Sequence, residues 1–382
     1  MHNILDSKLP TITTSIFSVM SKMASDYKAL NLSQGFPNFQ SDPLLIDLVA
    51  KAMRDGYNQY APMAGDIGLR EEISKKMKSL YNKVYNPISE ITVTAGATQA
   101  IFTAIAAVVN KGDEVIIFTP AYDCYAPAIQ LFGGVVIPIQ LQAPNYQPNW
   151  SEVSAKISPK TKLIIINSPH NPSGMVFSEN DMLQLQQLAE KHNLLVISDE
   201  VYEHIIFDGL PHESAAKYTS LSLRTFITAS FGKTFHNTGW KMGYCVAPEI
   251  LMKEFQKVHQ YNVFCVNHPI QKALTTYLQK PEHYLQLSAF YQEKRDFFLN
   301  AIKGSRFRII PAKGTYFQLL DFSEISSESD IAFAERLTKR HKIATIPTSV
   351  FNANGEDFKH IRVCFAKTEA TLKEAAEILR TI

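Results

Sequence analysis

Seven short apolar runs alternating with helical patterns constrain this chain more than any other feature of it. Ile91–Thr94, Glu114–Phe118, Val135–Ile139, Lys162–Asn167, Leu194–Ser198, Thr225–Ser230 and Met242–Ala247 are rich in strand-forming residues. Several are apolar without a break, as strands buried on both faces must be. Between them, Ala97 to Val109 carries Ile101, Ile105 and Val108 at helical spacing, and Glu179 to His192 sets Leu183, Leu185 and Leu188 among polar residues. The alternation predicts an α/β fold in which a mainly parallel, seven-stranded sheet lies between helices.

At 382 residues the chain exceeds one simple core, since domains run to roughly 100–200 residues. The strand-rich stretch predicts a large domain over residues 41–275. Past Lys280-Pro281 the pattern changes to long helices with a few strands (Arg308–Ile310, Tyr316–Asp321, His360–Phe365), which predicts a smaller α+β domain over 276–382. Residues 1–40 are expected to join that smaller domain. The charge-rich stretch Arg70-Glu71-Glu72-Ile73-Ser74-Lys75-Lys76 reads as the wet face of a helix.

The formal charge is only +2, which gives no case for nucleic acid or an anionic membrane as the main partner. No apolar run is long enough to cross a bilayer. Cys124, Cys245, Cys265 and Cys364 are scattered without metal-ligand spacing. That scatter, and an N-terminus without a secretory pattern, point to a reducing, cytoplasmic setting.

Four segments carry chemistry, and each adjoins a strand. Ser230-Phe231-Gly232-Lys233-Thr234 puts a lysine just past a buried strand, where open α/β sheets bind ligands. Alone, Lys233 reads as a surface lysine in a loop. Ser230 before it and Gly239-Trp240-Lys241 after it supply the hydroxyl and second cation that a phosphate-bearing cofactor would require. Asp199 ends the run Leu194–Ser198, and a carboxylate there needs a cation or a metal beside it. No histidine or cysteine cluster accompanies it, and a cofactor with a cationic ring nitrogen meets the same demand. Asn167-Ser168-Pro169-His170-Asn171-Pro172-Ser173-Gly174 forms a rigid turn, either a plain loop or one that aims an amide at a ligand. His170 in it reads as structural or solvent-facing. Thr94-Ala95-Gly96-Ala97-Thr98-Gln99-Ala100 joins a strand to a helix whose open backbone N–H groups suit an anion.

Together these segments resemble the fold type I pyridoxal-phosphate enzymes, and among them the class I/II aminotransferases of the methionine and kynurenine aminotransferase (glutamine transaminase K) group. The resemblance runs from Asn31-Leu32-Ser33-Gln34-Gly35-Phe36-Pro37 to His360-Ile361-Arg362-Val363-Cys364-Phe365-Ala366-Lys367. It implies that Lys233 forms an imine with the aldehyde of pyridoxal 5′-phosphate and shuttles a proton on the substrate. Asp199 would keep the pyridine nitrogen protonated. Asn171 and Tyr202 would bond the phenolic oxygen, and Tyr122 would stack on the ring. Cys124 beside it reads as a small hydrophobe.

By the same resemblance the phosphate falls to Gly96, Ala97, Thr98, Ser230 and Lys241, the last in place of an arginine common in relatives. Tyr60 would reach the phosphate of a neighbouring subunit, so a homodimer is implied. Arg362, with Asn171 and Gly35 close by, would clamp the substrate carboxylate. No metal is implied, and Asn171–Pro172 is expected to be cis.

Amino acids and 2-oxo acids are the implied substrates. Aspartate-specific relatives carry a second arginine, for which no clear equivalent stands here. The aromatics Tyr57, Tyr261, Phe264 and Tyr316 favour an apolar or aromatic donor, methionine first, then glutamine, phenylalanine, tyrosine or kynurenine. The alternative on the same scaffold is β-elimination from a cysteine S-conjugate. A non-catalytic regulator would carry an added DNA-binding domain, for which the early start of the resemblance leaves no expectation. A nicotinamide-dependent oxidoreductase would show G-x-G-x-x-G, which Gly96-Ala97-Thr98-Gln99-Ala100 does not fit.

Overall fold

A computed structural model describes residues 6–382. Twelve strands build three sheets among these residues: β1 (Leu30–Asn31), β2 (Ile91–Thr94), β3 (Glu114–Thr119), β4 (Val135–Gln140), β5 (Thr161–Asn167), β6 (Leu195–Asp199), β7 (Thr225–Ser230), β8 (Gly243–Val246), β9 (Phe317–Asp321), β10 (Ile343–Ala344), β11 (Ile346–Pro347) and β12 (His360–Cys364). The seven runs read from sequence form one sheet in the order β2-β8-β7-β6-β5-β3-β4. Only β8 runs antiparallel, to both of its neighbours.

Alternate residues of these strands feed two cores, one on each side of the sheet. Val115, Ile117, Leu163 and Ile165 face one way, and Ile116, Phe118, Ile164 and Ile166 the other. Two covered faces are why the runs lack polar alternation. Helix α1 (Ile16–Asp26), α2 (Pro43–Arg54) and α3 (Ile67–Tyr81) begin on Ser15, Asp42 and Asp66, whose side chains accept from first-turn N–H groups. By contrast α4 (Ala97–Val108) starts at Gly96 with no side-chain cap, and α5 (Tyr125–Leu131) starts at Cys124 likewise uncapped.

Strands β11, β12 and β9 form a separate antiparallel sheet. Through β1, which pairs in parallel with β10, the N-terminal segment is stitched to this later part of the chain. Residues 1–5 of that segment lie outside the described residues. The peptide bond Asn171–Pro172 is cis, as expected.

Two expectations fail. Arg308–Ile310 makes a single bridge to Asp321 and no strand. Gln318 explains this: its amide donates to the Ile310 carbonyl (2.8 Å) and accepts from the Ala312 N–H (3.0 Å), so a side chain replaces the ladder. The charged stretch from Arg70 to Lys76 is helical, but only Glu71 and Lys75 face outward fully. Arg70 is buried and donates to the carbonyls of Gly65 (3.1 Å) and Pro87 (2.6 Å). Lys76 is buried against Glu203 and the Tyr244 hydroxyl. Charges at helical spacing are ambiguous in sequence because a buried acceptor on a distant segment leaves no local mark.

Candidate active site

Strands β5, β6 and β7 are neighbours, and their carboxyl ends deliver Asn167, Asp199 and Ser230 side by side; Asn167 lies opposite Asp199 and Asp199 opposite Thr228. Beyond these ends opens a cavity of about 270 Å³. Gly35, Gly96, Ala97, Thr98, Tyr122, Asn171, Asp199, Tyr202, Ser230, Lys233, Lys241 and Arg362 all line it. Of the residues expected to hold the cofactor or the substrate carboxylate, Tyr60 alone lies elsewhere, 82% exposed on the surface.

Lys233 and Asp199 therefore face one space. The Lys233 ammonium donates to the Gly35 carbonyl at 3.1 Å and sits 5.8 and 5.6 Å from the ring centres of Tyr202 and Tyr316. Burial lowers its pKa to about 8, with the charges of Arg362 and Lys241 adding to the effect. Ser230 caps the short turn that carries it, accepting from the Lys233 N–H at 3.3 Å.

Asp199 is buried, and burial raises its carboxyl to about 6. Opposing that rise, Oδ2 accepts from the Tyr125 hydroxyl at 2.5 Å, the Val201 N–H lies 3.4 Å from Oδ1, and Lys233 adds its charge. The Asn167 amide donates to the Asp199 carbonyl at 2.9 Å, fixing the strand end.

On the opposite wall, Gly96 takes φ +79°, which admits glycine readily, and a Cβ there would lie 3.5 Å from the Lys241 ammonium. The uncapped start of α4, the Ser230 hydroxyl and the Lys241 ammonium converge here, an arrangement suited to a phosphate. Arg362 is 1% exposed. It lies 3.9 Å from the Phe317 ring centre, donates to Asn171 and to the Ser33 carbonyl, and keeps a buried Nε with no partner among the described residues.

These donors fit pyridoxal phosphate. A buried carboxylate matches a ring cation, an uncapped helix start and an ammonium match a phosphate, an amine of lowered pKa matches an aldehyde, and an orphaned guanidinium N–H matches a substrate carboxylate.

Sequence reasoning missed several participants. Phe17, Gln34, Asn167, Thr238 and Phe317 also line the cavity. Tyr125, three residues after Tyr122, was missed, and Phe17 left no signal because α1 reaches the cavity from far along the chain. Of the four aromatics expected at the substrate, Tyr316 is buried beside Lys233, its hydroxyl 2.7 Å from the Gly35 carbonyl. Tyr57, Tyr261 and Phe264 are instead 38%, 87% and 45% exposed and do not line the cavity of their own chain. His170 is structural, not solvent-facing: it is buried, with its ring nitrogens 2.7 Å from the Ser173 hydroxyl and 3.0 Å from the Pro120 carbonyl. No group of three or more metal-ligating side chains occurs among the described residues.

Residues 27–379 match the family model for aminotransferase class I and II. The chain is 49% identical to the methionine aminotransferase of Escherichia coli over 99% of its own length and 98% of that protein. It is 33% identical to a kynurenine–oxoglutarate transaminase of Dictyostelium discoideum, covering 96% and 93%. The crystal structure of an Escherichia coli protein with methionine aminotransferase function superposes with a TM-score of 0.97 at 49% identity, covering 99% and 100%. That of the Mycobacterium tuberculosis N-succinyldiaminopimelate aminotransferase gives 0.94 at 30%, covering 99% of each. A seven-stranded sheet brings a lysine, a buried carboxylate and an arginine to one cavity, full-length relatives match it, and the chain belongs to the class I and II aminotransferases, whose cofactor is pyridoxal phosphate.

Proposed function

We propose that this enzyme takes the α-amino group from an apolar or aromatic amino acid, methionine first, and gives it to a 2-oxo acid. The observation that carries the donor preference is the cavity lining. Arg362 is its one arginine, and Phe17 and Phe317 pack against that guanidinium, with Ile101, Tyr122, Tyr202 and Met242 also on the lining. A donor with a second carboxylate would find no second guanidinium. Resemblance to the Escherichia coli methionine aminotransferase supports the same donor.

When bound, pyridoxal phosphate supplies the electron sink for a carbanion at the substrate α-carbon. The chain's own residues do the rest. Lys233 tethers the cofactor and, once released, carries a proton with an amine whose pKa of about 8 leaves it partly neutral near physiological pH. Asp199 holds the ring-nitrogen proton, with Tyr202 and Asn171 at the phenolic oxygen and Tyr122 on the ring face. Gly96, Ala97, Thr98, Ser230 and Lys241 hold the phosphate. Arg362 orients the substrate carboxylate beside Gly35 and Asn171.

The working unit in this reading is a cytoplasmic homodimer in which Tyr60 enters the partner's cavity. Its support is the exposed cluster of Tyr60 and Phe264, whose rings meet edge-on at 5.4 Å, with Tyr57 and Tyr261 also exposed. The four cysteines are unpaired, in keeping with a reducing compartment. Residues 41–275 form the cofactor domain and 276–382 the smaller one, joined by 1–40 through the pairing of β1 with β10.

A donor panel tests the substrate reading. Purified holoenzyme is mixed with methionine, glutamine, phenylalanine, tyrosine, kynurenine or aspartate, and conversion of the cofactor to its amine form is followed by absorbance. Methionine should convert fastest. Faster conversion by aspartate would overturn the assignment.

A further inference from the structure

Asp199 can hold a cationic ring only while it is itself an anion, and its surroundings work against that. The side chain is buried at the end of β6, with Glu200 the next residue. Tyr122, Cys124, Tyr125 and Tyr202 also face it, all neutral, and Lys233 is the cation on that side. Two hydrogen bonds favour the charged form. One is the distant Val201 N–H at 3.4 Å; the other is the phenol of Tyr125 at 2.5 Å. Tyr125 is buried, and burial together with the Asp199 charge holds its hydroxyl far above the ordinary phenol range. It therefore stays a donor at any working pH.

The same residue touches a second participant. Its ring meets Tyr122 edge-on at 5.9 Å, and its N–H reaches the Tyr122 carbonyl at 3.3 Å. As the first residue of α5, Tyr125 links the ring-stacking loop to the strand end that carries the carboxylate.

We propose that Tyr125 is a positioning residue for transamination: its phenol aims Asp199 and keeps it ionised, so that the proton between carboxylate and pyridine nitrogen rests on the nitrogen. This rests on the reading of Asp199 as the partner of the ring nitrogen. Without the phenol, Oδ2 becomes more basic and draws the proton to itself, and the ring loses its positive charge.

The test uses holoenzyme reconstituted with cofactor ¹⁵N-labelled at the ring. In Tyr125→Phe the nitrogen resonance should move from the protonated toward the neutral position. Its kcat should fall about ten-fold, as for a lost bond to a charged group, while KM changes by less than about two-fold. Placing 4-aminophenylalanine at 125 restores a weaker donor in the same shape and should return both readouts part of the way. It also supplies the comparison with wild type should Tyr125→Phe fold poorly. A protonated nitrogen and unchanged kcat in the variants would overturn the role of Tyr125 and leave Asp199 untouched. If the wild-type nitrogen is neutral, or Asp199→Asn does not move its resonance, the reading of Asp199 fails and the proposal with it.

Discussion

Arg362 is held by Asn171: its Nη1 donates to the asparagine side-chain oxygen at 2.7 Å, while Nη2 is fixed on the Ser33 carbonyl at 3.0 Å. The guanidinium is thus aimed before any substrate arrives, with Phe317 beneath it. Pre-orientation of this kind lets a bidentate contact form without ordering a long side chain. Replacing Arg362 by alanine should raise KM for amino donors about a hundred-fold and leave cofactor binding intact, because a charge-assisted pair is lost at the substrate end alone. Steady-state kinetics with a parallel cofactor titration checks this, and an unchanged KM would remove the clamp.

Lys233→Ala should give a protein without the visible absorption of a lysine-bound cofactor and without a borohydride-fixed adduct at that position. In the wild type, only the neutral amine can attack the aldehyde, and its pKa is lowered to about 8. Reconstitution of apoenzyme should therefore accelerate as pH rises through about 8 and level off above it. A rate that still climbed at the ordinary lysine range would contradict the lowered value.

Asp199 makes a prediction about the cofactor-free protein. Its folded carboxyl titrates at about 6, above its ordinary range, so the stabilisation it lends is complete below about pH 4 and is lost as pH rises through about 6. Asp199→Asn removes the titration. The variant apoprotein should be more stable than wild type by about 3 kcal/mol near pH 8 and close to it near pH 4, by urea unfolding. The same substitution should weaken cofactor retention, the reverse of its effect on the empty protein.

The buried pair of Lys76 and Glu203 predicts the opposite trend. Burial alone would raise the Glu203 carboxyl, but Lys76 and the Tyr81 hydroxyl bring it down to about 2. Its contribution is present above the ordinary glutamate range and is lost only as pH falls toward 2. Lys76→Met strands the carboxylate and should cost about 3–5 kcal/mol at neutral pH. Because Glu203 in that variant gains by protonation, its melting temperature should rise more than that of wild type on going from about pH 8 to about pH 5.

The large sheet was readable because its inner strands are covered on both faces, and unbroken aliphatic runs such as Leu163–Ile166 announce that without help from the rest of the chain. Asp199, Lys233 and Asn171 were readable for a related reason: each stands at the carboxyl end of such a run, where the fold itself makes a crevice. What escaped depends on contacts between distant segments. Lys76 resembles any helix-surface lysine until Glu203 is seen beside it. Phe17 and Phe317 enter the cavity from elements 300 residues apart, and neither has a neighbour in sequence that signals its place. The aromatics Tyr57, Tyr261 and Phe264, expected at the substrate, are exposed and do not line the cavity, a placement that their local sequence does not signal.

The Gly35 carbonyl is moored twice, to the Lys233 ammonium and to the Tyr316 hydroxyl. A Cβ at Gly35 would come within 2.7 Å of the Phe317 ring, so that stretch of backbone has no slack toward the cavity. An amine that swings away from its resting acceptor would ordinarily abandon a buried oxygen and loosen the wall behind it. In the proposed reaction the Tyr316 phenol would keep its hold on that oxygen after the Lys233 amine departs. The lysine can behave as a moving part because its resting place does not depend on it.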